Sequence, residues 1–398
     1  MPFYWIPIVL ACLTVSVAQL GVGLLLPALP AISQDLFLDP AQAQWYISIY
    51  LLGFAISQLA YGPLSDAWGR RPILLIGLCI TLLGVALCMF GQQSAELILA
   101  GRLLQGAGAG SASVLGRAMI RDRYDGKQLS IAISYVGIAA AMTPMLAPFA
   151  GGYLSHHFGW SALFIVMAIY ICLIWLVMFF CFAETRTGDR VSVGLYSILN
   201  GYGDLFRDRY FLGYAGLNTL FFCLHLLLIS VMPYLLQKEI GMDASDYGQW
   251  SLIPAACGMF GSFISNKLRH HLNDQQRLNL SYLLLGCSAL FFIMVPLELY
   301  WLVASQSLFA MAFGIGFMMS LTCLLSPYKK NSGSVSALAG CLQMLLGSLA
   351  TVILVDQGVT TPLTLGVTMA IGVVLCLLLN RLAGGSARAK YLLMAECR

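Results

Sequence analysis

Charge is scarce in this chain. Only 10% of residues are Asp, Glu, Lys or Arg, against 60% hydrophobic, and mean hydropathy is +0.84. A soluble domain carries about a quarter charged residues, so the composition excludes one. Metal-ligand spacing is absent as well: the 12 cysteines are scattered through apolar segments without a C-x-x-C, and read as small packing residues. There is no H-E-x-x-H and no G-x-S-x-G, and His156-His157 and His270-His271 fall in links between apolar runs. An intramembrane enzyme would need a nucleophile or metal set within those runs, so no catalytic residue, metal site or cofactor is expected. Met1–Tyr4 carries no basic residue and the first apolar run is long enough to span, so no cleavable signal peptide is expected.

What the chain has is apolar length. A helical span needs about 20 apolar residues. The sequence predicts spans near 4–27, 43–63, 72–91, 95–117, 129–153, 160–182, 210–236, 246–267, 278–297, 300–325, 333–356 and 361–382. The fold class is therefore an all-α polytopic membrane protein with twelve transmembrane helices. Of the 21 Lys and Arg, all but Lys238 and Arg102 fall on one side of this alternation. That side is the cytoplasm by the positive-inside rule, which puts both termini there. The longest link, 184–209, divides the chain into an N-terminal six-helix half (1–183) and a C-terminal half (210–382), followed by a cytoplasmic tail (383–398). Gly108 and Gly110 recur as Gly314 and Gly316, a faint internal repeat.

The acids are missing from the middle of the spans: all 17 sit in loops or near span ends. The polar groups left inside are few. Arg102 lies about 10 Å from the outer boundary at 1.5 Å per residue, and an ion at that depth is a functional candidate. Gln19 lies at a similar depth in the first span and is expected to meet it. Gln105 follows Arg102 by three residues. His225 lies midway along the seventh span and is the side chain that titrates near neutral pH; a hydrogen-bonded core histidine is the other reading. Tyr46 and Tyr50 share one face of the second span, either as a cavity wall or as aromatic packing.

Three segments carry a resemblance. Gln58–Pro72 reads QLAYGPLSDAWGRRP, a polar turn expected to begin where Gly62 and Pro63 stop the helix. With Gly62, Leu64, Asp66, Gly69, Arg70 and Arg71 it resembles the G-x-L-x-D-x-x-G-R-[RK] loop of the major facilitator superfamily. Arg102 to Gly108 is similar to that superfamily's fourth-helix R-x-x-Q-G-x-G. The segment containing Pro144, Pro148, Gly151 and Gly152 resembles the antiporter motif G-P-x-x-G-G, with Ala147 in place of a glycine. With the Leu26–Pro30 segment LPALP and the Glu184-Thr185-Arg186 opening of the long link, the chain resembles the Bcr/CflA branch of bacterial drug:proton antiporters. Relatives in that branch usually carry an acid in the first helix, where this chain has Gly21-Val22-Gly23.

The resemblance implies a monomeric inner-membrane exporter. It would carry small amphipathic molecules by alternating access, driven by a proton gradient, with the bilayer and protons as its other partners and no nucleic acid. It also implies that Gly62, Asp66, Gly69, Arg70 and Arg71 latch the inner side. The missing acid implies that neutral or weakly anionic compounds are preferred to lipophilic cations, with Arg102 as a hydrogen-bond donor to them. A transporter of the same fold for a specific nutrient or metabolite is the alternative.

Overall fold

The computed structural model describes residues 5–91, 94–185, 203, 205–294, 296–328 and 332–396, with side chains for all of these except 127, 130, 332–334 and 385–396. Arg186, Arg190, Lys329, Lys330 and Arg398 of the charge argument, and most of the 184–209 link, lie outside the described residues.

Among the described residues there are thirteen α-helices and no strand. They are α1 Ile6–Gly23, α2 Leu29–Asp35, α3 Pro40–Trp68, α4 Arg70–Phe90, α5 Ala95–Arg123, α6 Gly126–Phe158, α7 Ser161–Cys181, α8 Arg209–Tyr234, α9 Ala244–Leu268, α10 Asp274–Met294, α11 Leu299–Leu325, α12 Ser332–Asp356 and α13 Pro362–Glu396. A 3-10 turn, Leu26–Ala28, joins α1 to α2, and the pair forms one apolar rod. This gives the expected twelve rods. Ten of them are long and apolar enough to cross a membrane by length and composition. The other two are α5 and α9, which are richer in small and polar residues.

Several boundaries differ from the sequence reading, three of them for a plain physical reason. The first rod does not end at Pro27. Pro27 and Pro30 each stand in the opening turn of a new helical segment, where a missing N–H costs nothing. Helix α3 does not stop at Gly62 and Pro63 but runs through both to Trp68. The chain turns only at Gly69, whose φ of 103° is closed to most side chains, and α4 begins at the next residue. Helix α13 continues past 382 to Glu396, because the Ala-, Lys- and Leu-containing stretch favours helix whether or not it is in lipid.

Two compact units result. The first gathers α1–α7 with Leu236–Leu252; the second gathers α8 and everything from Ile253 onward. In lipid, burying apolar surface does not drive helices together, because lipid tails are as apolar as leucine. Close backbone approach does the work instead. In the first unit α5 packs against α1, α3 and α4 through its glycines. A Cβ on Gly106 would lie 1.9 Å from the Tyr50 carbonyl oxygen, and one on Gly108 would lie 2.4 Å from that of Gly77. In the second unit a Cβ on Gly314 would meet the Gly258 oxygen at 2.2 Å, and one on Gly316 the Phe221 ring at 2.2 Å. Gly108 faces α4 whereas Gly314 faces α9, so the repeat seen in the sequence is one of composition and not of matched contacts.

Gly106→Ala is therefore expected to force α5 away from α3 and destabilise the protein by about 1–3 kcal/mol. Gly137, with open space around its Cβ position, is the control. The unfolding temperature in detergent should fall for Gly106→Ala and stay level for Gly137→Ala.

Candidate functional site

The inner turn is built around one guanidinium. Arg70 Nη1 lies 2.6 Å from Asp66 Oδ1, one helical turn earlier, and also donates to Ser65 Oγ at 2.6 Å. Its Nε donates to Asp122 Oδ2 at 3.0 Å, and Asp122 also accepts from the Thr185 hydroxyl at 3.2 Å. Arginine's planar fork allows two carboxylates to be held at once. The turn thus ties α3, the last turn of α5 and the chain beyond α7 together.

A third carboxylate completes it. The first N–H groups of any helix have no partner within it, and they carry partial positive charge. At α4 these are the amides of Arg70 and Arg71, and Glu184 accepts from both, at 2.9 and 3.1 Å. Arg71 in turn donates Nη2 to the Phe179 carbonyl at 2.6 Å and lies 5.5 Å over its ring. Gly62 makes no such contact: nothing lies within 4 Å of where its Cβ would be. Gly69 is different, for a Cβ there would sit 2.6 Å from Glu184 Oε2.

The second centre is Arg102, which has no exposed surface. Its Nε donates to the Tyr46 carbonyl at 2.9 Å, Nη1 to Gln105 Oε1 at 2.6 Å and Nη2 to the Gly21 carbonyl at 2.7 Å. The guanidinium lies 4.4 Å over the Tyr50 ring, and the Tyr50 hydroxyl donates to the Ala18 carbonyl at 2.7 Å. One side chain therefore braces α1, α3 and α5. Gln19 is half-buried and is not among its partners. Tyr46 and Tyr50 are both buried, Tyr50 as the platform under the cation, while the buried Tyr46 hydroxyl has no partner among the described residues.

The antiporter-like helix α6 runs unbroken through Pro144 and Pro148. Its small face packs on α1: a Cβ on Gly151 would lie 2.3 Å from the Leu24 oxygen, and one on Gly23 would lie 2.5 Å from the Ala147 Cβ. Ala147 fills the place of a motif glycine because Gly23 opposite leaves room for one methyl. Gly152 meets the Ala244 carbonyl in the same way, at 2.1 Å.

In the second unit His225 is half-buried on α8. Its ring is stacked 4.2 Å from Phe313 at 14° and 6.3 Å from Phe309 at 6°, and neither nitrogen has a hydrogen-bond partner among the described residues. The polar brace of this unit is Asn218, whose amide donates to the Phe317 carbonyl at 3.0 Å and to Ser320 Oγ at 3.1 Å. Sequence reasoning missed Asn218, Asp122 and the role of Glu184. A signal for Asp122 was present, since it is a lone acid between Arg121 and Arg123 on the basic side.

Two expectations follow for the inner turn. Gly69→Ala should impair activity through backbone strain and displacement of Glu184, whereas Gly62→Ala, though inside the motif, should be near wild type. Arg70→Lys should lose activity about 10-fold or more, because a point charge cannot hold Asp66 and Asp122 together. Transport assays normalised to membrane protein level check all three variants.

A sequence profile of the Major Facilitator Superfamily matches residues 11–352. The multidrug resistance protein MdtL of Escherichia coli O81 (strain ED1a) is 27% identical over 377 residues, covering 93% of this chain and 94% of that one. MdtL of Shewanella sp. (strain ANA-3) is 28% identical over 334 residues, 83% of each. An uncharacterized MFS-type transporter of Bacillus subtilis (strain 168), YdgK, is 29% identical over 362 residues, covering 89% of this chain and 90% of that one. Among solved structures, a bacterial homologue of the human lysosomal transporter Spinster, crystallised inward-facing and occupied, superposes with a TM-score of 0.76 at 14% identity. The match covers 98% of this chain and 97% of that one. The twelve-rod fold, the inner-turn network and the profile match agree: this multi-pass membrane protein belongs to the Major Facilitator Superfamily.

Proposed function

We propose that this chain is a secondary transporter of the bacterial inner membrane that exports small amphipathic molecules in exchange for protons, with both termini in the cytoplasm. The fold and the relatives are those of transporters, and the chain is not an enzyme. The observation that carries the export reading is the likeness to MdtL proteins over nearly the whole chain. Alternating access would use the two units as the moving bodies, with the Arg70 network, which lies wholly within the first unit, latching the α3–α4 turn.

The choice of cargo follows from charge. Arg102 is buried and, among the described residues, paired only with neutral acceptors, so it stands as a positive charge that none of them cancels. A desolvated lipophilic cation meets that field unfavourably. A neutral or weakly acidic compound does not. In this conformation Arg102 acts through its field rather than by contact, since it has no exposed surface.

The proton route is proposed through His225, which lies midway along α8, whereas His156 and His157 stand in the last turn of α6. An imidazole stacked on Phe313 has a π face to meet a positive charge when it protonates.

In a pump-deficient host, expression should protect against neutral amphenicols or acidic aromatic compounds more than against quaternary ammonium dyes. Asp66→Asn should abolish most of this protection without loss of membrane insertion. A protonophore should stop export. His225→Gln should flatten its pH dependence. Export that survives the protonophore would remove the antiport reading; an unchanged pH profile in His225→Gln would place the proton elsewhere.

A further inference from the structure

A cavity of about 160 Å³ lies inside the first unit, between α1, α5, α6 and α7. Leu20 and Gly21, Leu154, and Met167 and Tyr170 line it, together with Gln105. The Tyr170 hydroxyl is engaged with Ser16 Oγ. The Gln105 amide is the other polar group in the wall, and it is 1% exposed.

The orientation of that amide is dictated by Arg102. A guanidinium only donates, so Gln105 must turn its oxygen toward Nη1, at 2.6 Å. Its NH2 group is thereby committed to the opposite side. There, among the described residues, it meets only the Met167 sulfur, at 3.3 Å. A thioether is a weak acceptor, so a buried donor is left with a poor partner at the edge of empty, apolar space. An apolar cavity of about this size holds one benzene ring.

We propose that this cavity binds a small neutral molecule the size of one aromatic ring that carries a single hydrogen-bond acceptor, a ketone or nitro oxygen, and that Gln105 Nε2 receives that oxygen in place of Met167. The site lies within one unit and does not depend on the export reading.

The test uses the full chain in lipid nanodiscs, with 4-fluoroacetophenone and 1-ethyl-4-fluorobenzene as probes, read by fluorine NMR line broadening. The ketone should bind saturably. The hydrocarbon, of similar shape but without an acceptor, should bind about 2- to 10-fold more weakly, the worth of one hydrogen bond. Leu154→Phe and Leu20→Phe, which fill the space from two different helices, should each abolish saturable binding. Met167→Leu, which removes the rival acceptor at similar volume, should widen the preference for the ketone. Unsaturable broadening, binding unchanged in both filled variants, or equal affinity for ketone and hydrocarbon would overturn the proposal.

Discussion

A guanidinium in the interior of a membrane protein with no carboxylate beside it is the constraint on which the first unit depends. Removing such a charge from water costs several kcal/mol. Charge-assisted hydrogen bonds contribute about 1.5–3 kcal/mol each, so the three acceptors of Arg102 and the face of Tyr50 together offset that cost. The acceptors come from α1, α3 and from α5 itself. They must all be within reach at once, which the glycines of α5 make possible by letting α3 and α4 approach to backbone contact. The clamp and the glycine seam are two sides of one requirement. A larger residue at Gly106 would carry the Tyr46–Tyr50 stretch of α3 away from the cation.

The inner turn obeys a different rule. Its side chains are partly exposed, and there charge is paired with charge. Arg70 holds two carboxylates, and the open end of α4 is closed by a third from beyond α7. The side chains that form these ties are only partly buried. Arg102, by contrast, is wholly buried, and its role is to fix the frame within which the turn works.

Much of this was legible in the sequence because lipid permits few solutions. Apolar runs of about 20 residues must be helices, and the polar links between them mark off the twelve rods found among the described residues. The motif residues around Asp66 and Arg102 also stood out, since charge is scarce in the chain and rarer still inside a span. What was not legible was geometry carried by the backbone. Two of the partners of Arg102 are main-chain carbonyls, of Gly21 and Tyr46, and no side-chain pattern encodes those. The expectation that Gln19 would meet it came from depth alone, and depth does not fix the rotation of a helix. Gly62 and Gly69 looked equivalent as letters; only one has the backbone angle that turns the chain. Glu184 was noted as part of a phrase, but its pairing across more than a hundred residues with the amides of α4 required the fold.

The central claim is that an uncancelled positive charge at Arg102 sets which compounds are carried. Gln105→Glu tests it most directly, because it places a carboxylate where a neutral oxygen already lies 2.6 Å from the guanidinium, with almost no change in shape. Export of a quaternary ammonium dye should be measured against that of a neutral amphenicol, for wild type and variant at equal membrane levels. The account predicts a stable protein whose preference moves toward the cation. A stable Gln105→Glu protein with the wild-type preference would contradict it.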